Sequence, residues 1–215
     1  MSELRTVMVG AGGHGRVVAD LIRLSGHLEL VAVVDDDSRT HGGYLDGVEI
    51  IGSTALLERH PRAATACVVA IGANRTRARI YNLALGLGYH LPPLVHPAAV
   101  IARGVKLPNG LTVCAGAIVN PGARLGVGVI LNTGCSVDHD GEIGDHAHLH
   151  PGAVLAGGVK VGAYTFIGTN AAVNPGVTVG AKAMIGSGAV VIEDVPDGVV
   201  AYGVPARVQG EWNGC

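Results

Sequence analysis

The sequence predicts a small Rossmann-like α/β domain followed by a parallel β-helix. Three features carry the prediction: an apolar period of six residues from Val95 onward, 34 glycines in 215 residues, and a glycine loop between a strand pattern and a helix pattern. Stepping by six from Val95, through Ile101, Leu107, Val113 and on to Val191, all seventeen positions are Val, Ile or Leu. Four places after each stands a second residue, small or slender in nearly every case: Ala117, Cys135, Gly141, Ala153, Thr165, Ala189. A helix of period 3.6 cannot keep a six-residue stripe on one face, and a lone strand of period 2 has no need of small residues at one fixed phase. A coil of short flat strands and turns satisfies both, because the large residue fills the interior while the small one lets the chain turn.

The elements follow in order. Thr6–Val9 is an apolar strand, the loop Gly10–Gly15 follows it, and Arg16–Ser25 has helical spacing through Val17, Val18, Leu21, Ile22 and Leu24. Leu30–Val34 is a second strand ending in Asp35-Asp36-Asp37, Cys67–Ile71 a third, and Arg75–Leu87 a second helix. Strands alternating with helices imply a mostly parallel sheet of three to five strands with covered faces. This domain is expected over residues 1–92 and the repeat domain over 93–215. With three hexads to a coil, the repeats give about five to six coils, roughly 27 Å tall at ~4.8 Å per coil. Residues 197–215 leave the pattern.

Composition narrows the function. The net charge is −2 and no basic run exists, so nucleic acid and anionic membrane are poor partners. Charged residues are 15% of the chain, low enough to suggest surface hidden between subunits. Cys67, Cys114, Cys135 and Cys215 form no CxxC or zinc spacing and fit reduced thiols in a cytoplasmic protein. The N-terminus lacks the apolar stretch of a signal peptide, and no run approaches the ~18 apolar residues of a membrane helix.

Two motifs carry chemistry. Gly10-x-Gly12-x-x-Gly15 lies between a strand and a helix, and Asp35, 20 residues beyond Gly15, ends the next strand. This matches a dinucleotide fingerprint. The domain is short for both halves of a dinucleotide fold, and His14 puts a bulky donor in the loop. A nucleotide-sugar with one pyrophosphate, NAD, and a tight turn that binds nothing all remain open. The second motif is Val137–His150, which holds His139, His146, His148 and His150 off both inward phases of the hexad, so all four are expected to point outward. Carboxylates flank His139 on both sides, an arrangement suited to a general base near neutral pH. The alternating His146, His148 and His150 also raise a metal site, although the run crosses a coil bend.

Taken together, several segments resemble the hexapeptide acyltransferases of the bacillosamine N-acetyltransferase and sialic acid O-acetyltransferase family. They are GAGGHG, AIGAN at Ala70–Asn74, His96-Pro97, ILNTGCSVDHD at Ile130–Asp140, LAGGVKVG at Leu155–Gly162 and YGVPAR at Tyr202–Arg207. The resemblance implies a left-handed β-helix, a homotrimer, and acetyl-CoA as co-substrate in the cleft between neighbouring prisms, with no metal. It implies a nucleotide-linked amino sugar reaching in from the small domain. Carried over by position, His139 is the base, Asp140 its orienting acid, and Gly157 the amide that meets the thioester carbonyl. Asn132 lies near the acceptor. His148, Gly157, Thr169, Gly186 and Arg207 belong to the coenzyme site, and Gly12, Gly13, His14, Asp35 and Asp36 to the nucleotide-sugar site. The implied reaction is direct transfer of acetyl from acetyl-CoA to the amine of a nucleotide-linked 4-amino-4,6-dideoxy sugar. O-acetylation of sialic acid would use the same base on a hydroxyl. An NAD-binding protein and a non-enzymatic scaffold are the readings from other classes.

Overall fold

The computed structural model describes residues 3–212 and divides into two compact units, Met1–Leu94 and Val95–Cys215. Cys215 lies outside the described residues.

The first unit runs β1 (Leu4–Val9), α1 (Gly13–Ser25), β2 (Leu28–Val34), β3 (Tyr44–Leu45), β4 (Val48–Gly52), β5 (Ala66–Val69) and α2 (Asn74–Gly86). The sheet order is β3-β4-β2-β1-β5, parallel except where β3 meets β4. Val7, Met8 and Val9 are all buried, as a central strand covered on both faces requires. On α1, Val18, Ala19, Leu21 and Ile22 face the core, whereas Val17 and Leu24, read from the sequence as part of the apolar face, are exposed. Gly26 takes a left-handed φ of 65° and stops the helix. The β3–β4 hairpin was not foreseen, although Asp46-Gly47 carries its signal: both residues have positive φ, as a tight two-residue hairpin turn demands.

The second unit is a parallel β-helix whose strands pair at an offset of 18 residues, as three hexads per coil predicts: Thr112↔Ile130↔His148↔Phe166↔Met184. Its three faces are stacks of two-residue rungs. The first includes Thr112–Val113, Ile130–Leu131, His148–Leu149 and Phe166–Ile167. The second has six, from Val100–Ile101 through Ser136–Val137 to Val190–Val191. The third has four, from Arg124–Leu125 to Thr178–Val179. From Leu111 onward both inward phases of the hexad are buried in one continuous core, with Leu125 and Val199 at its margin. At the corners the turn residue takes positive φ, usually glycine but Asp140, His146, Tyr164, Asn170 and Lys182 at five of them.

The period slips once. Leu107 forms no rung among the described residues and is 42% exposed. Below the last rung, the residue after each of the other large apolar positions donates its N–H to the coil above, as Ala102 does to Val119 O and Gly126 to Ile143 O. The residue after Leu107 is Pro108, which has no N–H to give. The tail first adds a rung to the first face, Val199–Gly203 pairing parallel with Met184–Ile185, and then turns back as the antiparallel strand Ala206–Glu211.

Candidate active site

His139 and Asp140 occupy the corner after the second-face rung Ser136–Val137. Asp140 takes the left-handed φ of 59°, which turns its side chain back beside the preceding residue. There its Oδ2 lies 3.0 Å from His139 Nδ1. The contact orients the imidazole, with Nδ1 carrying the proton and Nε2 left to accept one. Gly122, one coil below, leaves room for the Asp140 carboxylate, since a Cβ there would collide with Asp140 Oδ1. Gly157, one coil above, does the same for the imidazole: a Cβ would strike His139 Nε2 and come 2.6 Å from Cε1. The main chain is pinned as well, by Gly158 N–H to His139 O at 2.9 Å and Asp140 N–H to Pro121 O at 3.1 Å. The hydrogen bond to Asp140 and the nearby charge of Asp138 hold the imidazole above its ordinary pKa. The amide N–H of Gly157 has no partner among the described residues and adjoins the same ring.

A second group sits at the corner after the first face. Asn132 Nδ2 lies 3.2 Å from His148 Nε2, and Asn132 Oδ1 accepts from Thr133 N–H at 2.8 Å, so the amide donates and His148 Nε2 accepts. Thr169 shares this corner and its N–H is also without a partner among the described residues. The Gly186 amide, by contrast, is spent on Ala201 O at 2.9 Å, and its missing Cβ makes room for Tyr202. Arg207 Nη1 bonds Ala206 O at 3.0 Å and lies 3.9 Å from Glu193 Oε2. One chain therefore does not gather the expected residues. His139, Asp140 and Gly157 stand at one edge of the second face, and Asn132, His148, Thr169 and Gly186 at the other.

All four histidines stand off the inward phases, which are held by residues such as Ala147 and Leu149, but exposure does not follow from that. His139 is exposed, but His146 and His148 are buried. His146 is sandwiched between Gly128, one coil below, and the Tyr164 ring, one coil above. His148 stacks at 4.2 Å on His150 and meets Phe166 at 5.9 Å. Leaving the core phase does not put a ring in water when its neighbours along the ladder are aromatic. Among the described residues no three His, Cys, Asp or Glu side chains form a group able to hold a metal. Cys135 is buried and its thiol is pushed up to about 12 by burial, so it offers no thiolate nucleophile.

In the first unit, Gly12 caps α1, so Gly13, His14 and Gly15 belong to its first turn rather than to the loop. A Cβ on Gly15 would collide with Gly10 O, so this glycine serves helix-to-strand closeness. Asp35 Oδ2 accepts from Ala11 N–H at 2.7 Å and Oδ1 from Asp37 N–H at 2.8 Å, bracing the glycine loop. Asp36 Oδ1 accepts from Thr54 N–H and Oγ1 at 2.9 and 2.7 Å, which holds its carboxyl below the usual range. Both aspartates line a crevice of about 200 Å3 with Gly10, Thr54, Ile71 and Arg79. It opens at the carboxyl ends of β1, β2 and β5, where the strand order reverses, the usual place for a ligand in an open α/β sheet. Thr54 and Arg79 were not read from the sequence, because their place depends on the hairpin and on the pitch of α2.

Comparison with known proteins agrees with both units. Residues 5–84 match the PglD N-terminal domain, and residues 140–174 and 158–193 match the bacterial transferase hexapeptide (six repeats) model. A solved structure of a histidine-to-asparagine variant of perosamine N-acetyltransferase from Caulobacter crescentus, in complex with CoA and GDP-perosamine, is 39% identical. It superposes with a TM-score of 0.91 over 96% of this chain and 97% of that one. The chain belongs to the hexapeptide-repeat sugar N-acetyltransferase family. Another solved member, the acetyltransferase domain of PglB from Neisseria gonorrhoeae FA1090 in complex with acetyl coenzyme A, is 38% identical with a TM-score of 0.89, covering 97% of this chain and all of that one. UDP-N-acetylbacillosamine N-acetyltransferase of Bacillus subtilis (strain 168) is 36% identical over 109 residues, so the match spans half the length of that curated relative. The β-helix is the left-handed one of this family.

Proposed function

We propose that this chain transfers the acetyl group of acetyl-CoA directly to the amine of a nucleotide-linked 4-amino-4,6-dideoxy sugar, with His139 as general base. The observation that carries the proposal is the His139 arrangement: Nδ1 held by Asp140 at 3.0 Å, and Nε2 over Gly157, whose amide has no partner among the described residues. As the amine attacks the thioester carbonyl, its proton passes to Nε2. The oxyanion takes a hydrogen bond from the Gly157 amide, worth roughly 2.7–4 kcal/mol for a donor of this kind. Collapse breaks the carbon–sulfur bond, and the imidazolium returns the proton to the departing thiolate, leaving amide, free CoA and neutral His139.

The switch-point crevice, lined by Asp35 and Asp36, is the proposed nucleotide-sugar site, and Gly12, Gly13 and His14, which lie outside its lining, are assigned to the same site from the family resemblance. Asn132, His148, Thr169, Gly186 and Arg207 are assigned to the coenzyme and acceptor side. The working form is a homotrimer. The outer side of the second face presents Val100, Ile118 and Val154 at 62%, 41% and 48% exposure, an apolar ladder suited to a second copy of the chain. The two half-sites stand at the edges of that same face. Packing it against a neighbour by a threefold operation brings the His139 corner of one protomer to the Asn132–Thr169 corner of the next. Cytoplasmic residence belongs to this reading; among the described residues no helix is long and apolar enough to cross a membrane.

The test is thiol release from acetyl-CoA with a panel of UDP-, dTDP- and GDP-linked 4-amino sugars, with sialic acid included. One amino sugar is expected to support turnover. His139→Ala is expected to lower kcat by about 10²–10⁴-fold with little change in KM for acetyl-CoA. Near-normal turnover in that variant removes the base assignment, and turnover with sialic acid alone replaces the N-transfer reading.

A further inference from the structure

We infer that Asp138, locked by Asn120 of the coil below, is a positioning residue for the base at His139. The inference rests on the proposed role of His139. Asp138 Oδ1 accepts two hydrogen bonds, from Asn120 Nδ2 at 2.7 Å and from the backbone N–H of His139 at 2.7 Å. The N–H that precedes the catalytic ring is thus tied through a half-buried carboxylate to a residue 18 positions back, one coil below. Asp140 aims the ring from its tip, and Asp138 fixes the main chain from which the ring springs. With Gly158 N–H on His139 O above and Asn120 beneath, the corner cannot rotate without breaking a ladder contact. A half-ångström drift at such a site weakens proton transfer, so a clamp at the root of the side chain bears on rate and not only on stability.

Asp138 also acts through its charge. The charged groups facing His139 are Asp140 and Asp138; the neighbouring coils set Asn120, Pro121, Gly122, Gly157 and Gly158 against it, none of which titrates. Asn120 and the His139 N–H keep Asp138 ionised well below neutrality. The carboxylate therefore stays charged throughout the working pH range and favours the protonated imidazole.

Two substitutions separate clamp from charge. Asp138→Asn keeps an oxygen where Oδ1 stands, so both hydrogen bonds persist and only the charge is lost. Asp138→Ala removes both. The readouts are the His139 titration followed by NMR, assigned by its disappearance in His139→Gln, and the pH dependence of kcat/KM. In Asp138→Asn the His139 titration and the acid limb of kcat/KM both move to lower pH, with plateau turnover within about threefold of the wild type. In Asp138→Ala the acid limb moves as in Asp138→Asn, and in addition plateau kcat falls tenfold or more while KM for acetyl-CoA is unchanged; in Asn120→Ala plateau kcat falls in the same sense by a smaller factor. A titration and limb unmoved in Asp138→Asn, or wild-type kcat in Asp138→Ala, overturns the inference. If His139→Ala itself retains turnover, the base reading fails first. A shifted NMR titration with an unshifted rate profile in Asp138→Asn identifies the same failure.

Discussion

At the scale of single residues, the proposed base His139 and its partner Asp140 form the decisive pair, and the behaviour of the pair with pH follows from sign alone. The base must be neutral to accept a proton, so activity rises as pH passes upward through the imidazole pKa. That pKa lies above the ordinary value, with the hydrogen bond to Asp140 as the largest cause and Asp138 next. Replacing Asp140 with Asn removes the largest contribution, and the acid limb of kcat/KM moves to lower pH. Plateau turnover falls as well, since the imidazolium formed during transfer loses its counter-charge, but by less than the roughly 10²–10⁴-fold expected of losing the base. A pH–rate series from 5 to 9 checks both; an acid limb that moves to higher pH contradicts the electrostatic account. This residue pair was legible in the sequence because it is adjacent. The Asn120–Asp138 clamp was hidden because its members are 18 residues apart, and only the coil offset makes them neighbours.

At the scale of elements, the hexad stripe made nearly the whole prism readable, because large and small inward residues recur at fixed phases that no other regular structure uses. The slip at Leu107 was readable too, had Pro108 been treated as a missing ladder donor. The β3–β4 hairpin was not, as its strands are short and its signal is the single pair Asp46-Gly47. Glycines that look alike in sequence divide once the coils are stacked. A Cβ on Gly157 meets the mobile end of the His139 ring, whereas a Cβ on Gly162 meets backbone, with Ala181 Cα at 2.5 Å. Gly157→Ala is therefore expected to melt near the wild-type temperature yet lose most turnover, because the methyl displaces the imidazole. Gly162→Ala is expected to lose about 1–3 kcal/mol, or roughly 2–10 °C of Tm. Calorimetry beside a thiol-release assay distinguishes them. A Gly157→Ala protein with full activity would mean that the ring works from another position.

At the scale of the whole molecule, the separation of the proposed half-sites carries the proposal of a working unit made of several chains. His139 and its clamp lie on one edge of the second face, and Asn132, His148 and Thr169 on the other, with the exposed side chains of Val100, Ile118 and Val154 on the face between them. A chain acting alone would expose this ladder to water and hold its base away from the proposed coenzyme residues. The same ladder buried between copies gains roughly 25 cal/mol for each Å2 of apolar surface removed from water. Ile118→Asp and Val154→Asp each place a carboxylate in that contact, and burying an unpaired charge costs far more than the apolar contact returned. The double variant is expected to sediment as a monomer with a wild-type circular dichroism spectrum, since both side chains point away from the prism core. Its turnover is expected to fall at least a hundredfold while nucleotide-sugar binding to the first unit persists. Analytical ultracentrifugation, titration calorimetry and the thiol-release assay on one preparation separate these outcomes. A monomer with wild-type turnover would require a complete site within one chain, and the assignment of Asn132 and Thr169 to the coenzyme side would then fall with the composite site.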